Sequence, residues 1–490
     1  MTSKVEVTGR GSDERLDPAV LKLAWILLVG ILAPLFDATI VNVALGTLGR
    51  DLDASVSTIQ WVVTGYLLAL GMAIPLSGWS VARFGGKRMW MVSLGLFLVG
   101  SVLSGAAWNV GDLIASRVLQ GIGGGLMIPI MQTLVARAAG GRNLGRLMAV
   151  ASMPALVGPI LGPMLGGLIV GHFAWRWIFY FNVPICLAAL VLAWRGMPSD
   201  PPRGGQRLDA LRLALLSPAL AALVYGLARV SPSEGFADAA VVVPFAIGLG
   251  LLVAFAIHAL RTRAEPVVDL RLFRVRSFWA STCLLFLAGL SLYGALLLLP
   301  LYYQQVRGQS VMAAGLLLAP QGVGALLIRI WAGELTDRIG ARPVVLVGIA
   351  LTAAGTLPFA LAGPHTSQLL LGAALIVRGA GLGAVTVPAI AAAYQGLREE
   401  QIPHASSART IVQQVGGAFG AAVLAVILES RIAGHAPAVV PRLVAAFEQA
   451  FWWSVLFTVL AFVPALLLPR HARDRDGAAT GPTGASPDAP

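Results

Sequence analysis

The chain has 490 residues, of which 57% are hydrophobic and 12% carry a formal charge, about half the charged fraction of a soluble protein. So few charges cannot cover a globule of this size in water. The composition also excludes a disordered chain, a collagen-like fibre and a disulfide scaffold. The net charge of +12 does not mark a nucleic-acid surface, because the basic residues sit in short gaps between apolar runs. What remains is an all-α polytopic membrane protein, with the high Gly and Pro content that membrane helices tolerate.

Residues 1–17 are polar and hold four acids, unlike a cleaved signal peptide, and 1–19 reads as a cytoplasmic N-terminus. A helix needs about 20 apolar residues to span a bilayer, and fourteen runs qualify. Six lie at about 20–46, 58–80, 89–108, 111–137, 145–171 and 175–196. Two follow at about 208–230 and 238–260. The last six lie at about 277–304, 310–333, 343–362, 368–395, 404–430 and 447–469. Cys186 and Cys283 fall inside apolar runs and read as core. The tail 470–490, rich in Gly, Pro, Ala and Asp, reads as disordered and cytoplasmic.

Fourteen spans put both termini on one side. Lys and Arg in the gaps and termini of that side number 25 against 6 on the other, so the positive-inside rule makes both termini cytoplasmic. The chain also repeats itself. Gly78, Arg83, Gly85, Lys87 and Arg88 follow the second span. Gly333, Asp337, Arg338, Gly340 and Arg342 follow the tenth, about 255 residues on. Gln120-Gly121-Ile122-Gly123-Gly124-Gly125 in span four, with Pro129 after it, matches Arg378-Gly379-Ala380-Gly381-Leu382-Gly383 and Pro388 in span twelve. The repeat divides the chain into a six-helix bundle at 20–200, an extra two-helix insert at 201–262 and a second, pseudo-symmetric six-helix bundle at 263–469. Paired halves with a site between them at mid-membrane are a common transporter plan.

Asp37 lies about sixteen residues into span one, where a charge costs roughly 2.5–3.5 kcal/mol and so faces a cavity or a partner. Each of the other 22 acids falls in a loop, a terminus or a span end. Asp37 is therefore the acid placed to take up and release a proton, the alternative being an acid that only ties two helices together. Arg117, a third of the way into span four, cannot lose its proton. It can bias a nearby carboxylate toward its charged form, or serve only to bond backbone carbonyls. Arg378 is its analogue in span twelve. Arg329 and Arg409 lie near span ends, where long basic side chains snorkel. Gly158, Gly162 and Gly166 recur every fourth residue in span five and form a smooth strip for close helix packing, with Pro159 and Pro163 bending it. Tyr302 and Tyr303 near a span end fit an interfacial belt better than a cavity lining, and Trp61 and Tyr66 are similarly open between belt and cavity.

These stretches resemble the major facilitator superfamily, and within it the fourteen-helix drug:proton antiporter branch. The resemblance rests on LFDATIVNVALGTLGRDL (35–52), the basic loop after span two, Arg117-Val118-Leu119-Gln120-Gly121, the run Gly158-Pro159-Ile160-Leu161-Gly162-Pro163-Met164-Leu165-Gly166-Gly167, and WRWIFYFNVPI (175–185). It covers nearly the whole chain. It implies that Asp37 and Arg117 face each other and couple protons, and that Asn42, Trp61, Tyr66, Gln120, Tyr293, Gln304, Gln321 and Arg378 line the substrate cavity. It also implies that the two basic loops gate the cytoplasmic side, and that Gly158, Pro159, Gly162, Pro163, Gly166 and Gly167 form the antiporter motif that seals against proton leak. The basic loop of the family carries an Asp where this chain has Ala82, so closure is expected to be weaker there or to rely on Asp337. Gly46 stands where a Pro is common.

The function expected is a proton-coupled antiporter that exports small amphipathic or cationic compounds across a bacterial inner membrane. The alternatives are a dedicated exporter of one metabolite or self-made antibiotic, and a superfamily importer. No phosphate-binding Gly-x4-Gly-Lys-Ser/Thr loop, Cys/His cluster or Ser/His/Asp set occurs, so ATP, a metal, a cofactor and enzyme catalysis are not expected. The partners expected are drug-like small molecules and membrane lipid, not nucleic acid.

Overall fold

A computed structural model describes residues 18–140, 144–151, 154–199, 209–228, 238–261, 269–432 and 440–469. The predicted N-terminal stretch 1–17 and the tail 470–490 lie outside the described residues. The apolar runs are helical. The first six predicted spans form α1 (Pro18–Asp51), α2 (Val56–Phe84), α3 (Gly86–Gly105), α4 (Val110–Ala139), α5 (Leu144–Ala151), α6 (Pro154–His172), α7 (Trp177–Tyr180) and α8 (Asn182–Gly196). The extra pair is α9 (Ala210–Ala228) and α10 (Ala239–Arg261). The remainder forms α11 (Arg276–Leu301), α12 (Val311–Leu317), α13 (Ala319–Ile339), α14 (Ala341–Thr356), α15 (Gln368–Tyr394), α16 (Ile402–Ile432), α17 (Val440–Leu460) and α18 (Phe462–Ala465). Among the described residues, 13 helical stretches are long and apolar enough to cross a bilayer. The predicted span at 145–171 is carried by α5 and α6.

Short polar caps and glycine turns set the helix ends. The Ser55 hydroxyl accepts from the Thr58 amide at 3.2 Å, and the Asn109 side-chain oxygen accepts from the Asp112 amide at 2.8 Å. Between α2 and α3 the chain turns on one residue, Gly85 at φ 86°. Gly340 does the same at φ 89° between α13 and α14. Residues with a side chain rarely adopt that conformation, which is why each basic loop has a glycine there.

The same packing device occurs twice. In α4, Gly121 and Gly125 lie against the backbone carbonyls of Tyr66 and Leu70 in α2, while Gly123 lies against the Ser93–Phe97 turn of α3. In α15, Gly379 lies against the Gln321 carbonyl of α13, and Gly381 against Gly348 and Thr352 of α14. Glycine on both sides lets one helix sit between two others at backbone contact, the route by which membrane helices associate without a hydrophobic drive. The extra pair attaches through α9: the Ser217 hydroxyl donates to the Met72 carbonyl of α2 at 2.8 Å, and Tyr225 stacks on Trp61. α10 packs on α9 through Gly226 and Gly248 and is otherwise largely exposed, as a lipid-facing helix should be.

Candidate functional site

Five helices converge on Asp37. Asp37, Arg117, Gln120, Ser101 and Asn182 are each at most 1% exposed. The Arg117 guanidinium donates to one Asp37 carboxylate oxygen through Nη1. The other oxygen accepts from Gln120 Nε2 at 2.9 Å and from Asn182 Nδ2 at 3.1 Å. Gln120 is itself held: its oxygen accepts from Arg117 at 2.7 Å, and its amide donates to the Ser101 hydroxyl at 2.8 Å. Arg117 Nε donates to the Val62 carbonyl of α2 at 3.1 Å, and its guanidinium lies 4.0 Å from the Tyr66 ring centre. A carboxylate buried this deeply is tolerated because its charge is matched and both oxygens accept hydrogen bonds. The network ties α1 to α2, α3, α4 and α8. Asn182 and Ser101 were not among the sequence candidates. A neutral polar residue in an apolar run is common and carries no charge penalty to betray it, although Asn182 stands inside the run WRWIFYFNVPI.

α15 carries the counterpart. Arg378 is 1% exposed. It donates to the Gln321 side-chain oxygen at 2.6 Å, the Thr356 hydroxyl at 3.1 Å and the Ser291 carbonyl at 3.0 Å. The Ser291 hydroxyl meets that of Thr458 at 3.0 Å. Gln321 and Gln304 are half-buried, and Tyr293 is 39% exposed with its ring against Gly417 of α16. Tyr302 and Tyr303 do not form an interfacial belt. Both are fully buried in an aromatic cluster with Phe359, and Tyr302 also meets Phe447 and Phe451, because α17 and the α14–α15 connection cover that end of α11. Trp61 stacks on Tyr225 of α9, with ring centres 5.8 Å apart.

The gating candidates gather where helices from the two halves of the sequence meet. Gly78 of α2 lies against the Pro403 carbonyl and Ser407 hydroxyl of α16, and the Ser77 and Ser407 hydroxyls are 2.8 Å apart. One turn further in, Arg409 of α16 donates to the Gln132 side-chain oxygen of α4, and Ser406 donates to the Pro129 carbonyl at 2.9 Å. Arg409 and Arg329 therefore do not snorkel. They are 0% and 5% exposed, and for Arg409 the cause is α4, which covers its helix face. On the opposite flank Asp337 accepts from the Arg146 amide at the start of α5 at 3.1 Å. Glu334 bridges Arg146 at 3.1 Å and Arg338. Ala82 is buried and lines a cavity of about 390 Å³ with Leu23, Arg137, Met197 and Glu399. The first loop presents Ala82 to that cavity. Where the second has Asp337, a cross-seam bond forms. Lys87 caps α8, donating to the Trp194 and Met197 carbonyls at 2.8 and 2.7 Å, a favourable place for a cation. Arg83 and Arg342 are half-buried, Arg88 is exposed and Gly333 is buried.

On α6, Gly162 packs directly on the side chain of Thr39 in α1, two residues from Asp37. Thr39 is pinned there by hydrogen bonds to the Phe36 and Leu35 carbonyls at 3.0 and 3.3 Å. Gly166 is buried and Gly167 half-buried. The side-chain surroundings of Asn42, Gly46, Gly158, Pro159 and Pro163 lie outside the described residues. Among those described, no group of His, Cys, Asp and Glu is placed to hold a metal.

The profile of the Major Facilitator Superfamily matches residues 27–421. A Mycobacterium tuberculosis protein named Multidrug resistance protein B homolog is 40% identical over 422 residues, 86% of this chain and 78% of that protein. The Bacillus subtilis lincomycin resistance protein LmrB is 27% identical, covering 95% of this chain and 98% of its own length. Among solved structures, the proton:xylose symporter XylE superposes with a TM-score of 0.63 at 15% identity, covering 91% of this chain and 94% of that one.

Proposed function

The chain belongs to the major facilitator superfamily, and on that premise we propose that it is a proton-coupled multidrug exporter of small amphipathic or cationic molecules. It is a multi-pass membrane protein. Its relatives that are named for multidrug or antibiotic resistance support the export reading. The observation that carries the coupling is the Asp37 network, an intramembrane carboxylate bonded to α4 and α8 and linked through Arg117 and Gln120 to α2 and α3. We place the protein in a bacterial inner membrane with both termini in the cytoplasm, on the 25-to-6 distribution of Lys and Arg. The seam at Ser77–Ser407 and Arg146–Asp337 is then the cytoplasmic gate. The two bundles 20–200 and 263–469 rock about the site between them.

Asp37 takes a proton when the site opens outward. Its charge is lost, and with it the reason for Arg117, Gln120 and Asn182 to hold α1. α1 is freed to move on α6, where Gly162 offers Thr39 a surface without a side chain. Return of the proton to the cytoplasm restores the network and readies the cavity for substrate. One proton crossing 100 mV supplies about 2.3 kcal/mol, enough to hold a substrate gradient of roughly fifty-fold.

The test is purified protein in liposomes with an imposed pH gradient. Asp37→Asn keeps the shape and cannot titrate. It should abolish uphill substrate transport while downhill exchange continues. Uphill transport by Asp37→Asn at the normal rate would mean that the proton travels by another group, and Glu334 at the seam is the next acid to test.

A further inference from the structure

We propose that the second half holds a receptor for an anionic group, built from Arg378 and Arg409, so that amphipathic carboxylates are among the molecules this protein exports. The proposal rests on the exporter reading and extends it to a substrate class.

Charge balance inside the spans comes first. Four arginines within the predicted spans, Arg117, Arg212, Arg378 and Arg409, are at most 1% exposed; Arg212 pairs with Asp209 near its span end, which leaves Asp37 as the acid deep within a span. Arg117 takes that acid. Arg378 and Arg409 are as buried as Arg117, yet among the described residues they meet only neutral acceptors. Arg409 Nε is buried with no acceptor at all. A buried guanidinium without a counter-charge is costly, and one inside a membrane marks a substrate or ion path.

One stretch of α11 touches a partner of each arginine. Ser291 of α11 gives its carbonyl to Arg378 at 3.0 Å. Two residues earlier, Gly289 lies under the carbonyl of Gln413, whose side chain accepts from Arg409 at 2.9 Å. Two residues later, Tyr293 lies against Gly417. Less than two turns of α11 therefore bond Arg378, meet the Gln413 that accepts from Arg409, and carry a partly exposed aromatic ring. Gln321 and Gln413, the amides that occupy the guanidiniums, are themselves half-buried. An incoming carboxylate that displaces the Gln321 oxygen makes the charge-assisted, two-pronged bond for which a guanidinium is shaped. Tyr293 supplies a face for the apolar part of the molecule.

The measurement uses two bicyclic fluorescent probes of similar size, 2-naphthoate and N-methylquinolinium, on the full-length protein in detergent. 2-Naphthoate should bind saturably, and Arg378→Gln should weaken it on the order of ten- to a hundredfold. Gln321→Glu keeps Arg378 and gives it a resident carboxylate. It should weaken 2-naphthoate comparably and shift preference toward N-methylquinolinium, which covers the case in which Arg378→Gln fails to fold. No saturable 2-naphthoate binding by the unmodified protein, or unchanged affinity in Gln321→Glu, overturns the proposal. The same proteins in liposomes separate the two readings. Arg378-dependent 2-naphthoate binding with no uphill flux of either probe would sink proton-driven export and leave the anion site standing. Uphill flux of N-methylquinolinium alone, with 2-naphthoate not bound, would do the reverse.

Discussion

Asp37 is held by three donors, and each can be removed without touching the carboxylate. Asn182 is the most informative, because it reaches Asp37 from α8 and makes no contact with Arg117 among the hydrogen bonds described. Asn182→Ala removes one charge-assisted bond, about 1.5–3 kcal/mol in a buried site. The network would persist through Arg117 and Gln120, so the variant should express normally. We expect uphill flux to fall on the order of tenfold, with downhill exchange nearly intact, in liposomes at matched protein content. Equal loss of uphill flux and exchange would make Asn182 a packing residue only. The sequence led to Asp37 and Arg117 because an ionisable group in an apolar run is conspicuous, whereas Gln120 entered only as a cavity-lining residue implied by the family resemblance. Neutral Asn182 and Ser101 give no such signal, and their roles appear only once α8 and α3 close on α1.

Glycines act here at the scale of whole helices. The strip on α6 was legible from its spacing of four, but its partner was not, since spacing says nothing of which helix lies opposite. The structure puts Thr39 there, two residues from Asp37. Bulk at Gly162 must therefore displace α1 itself or the Thr39 hydroxyl that caps its turn. Gly162→Leu should give inserted protein with reduced coupled flux and a raised proton leak, read as collapse of an imposed pH gradient without substrate. Gly162→Ala should show the same effect more weakly. Undiminished coupling in the Leu variant would remove the strip from the mechanism. The duplicated glycine triplets of α4 and α15 follow the same physics without the coupling. Both were visible as a repeat, and both let one helix sit between two at backbone contact. What the repeat did not reveal is their chemical divergence. Arg117 meets a carboxylate, and Arg378, at the matching place, meets an amide, a hydroxyl and a carbonyl.

At the scale of the molecule, the two flanks of one face differ in what lines them. Ala82, Arg137 and Glu399 line a cavity at one flank, while Asp337 and Glu334 reach Arg146 at the other. Between them the seam of α2, α4 and α16 is closed by Gly78 under Pro403, Ser77 against Ser407, Ser406 on the Pro129 carbonyl and Arg409 on the Gln132 side chain, none of which is an ion pair. Seals of this kind suit a gate that must open, since each bond is modest and water can replace it. They also make this seam lockable. With the two hydroxyl oxygens 2.8 Å apart, Ser77→Cys with Ser407→Cys brings two sulfurs within reach of a disulfide between α2 and α16. The background for this pair replaces Cys186 and Cys283, the only native cysteines. If transport requires α2 and α16 to part, the oxidised double variant should lose nearly all flux, uphill and exchange alike, and a reductant should restore it. Each single variant should transport normally under both conditions. Cross-linked protein that still carries substrate would show that this face stays shut throughout the cycle, and the gate would have to be sought at the flank of α5 and α13.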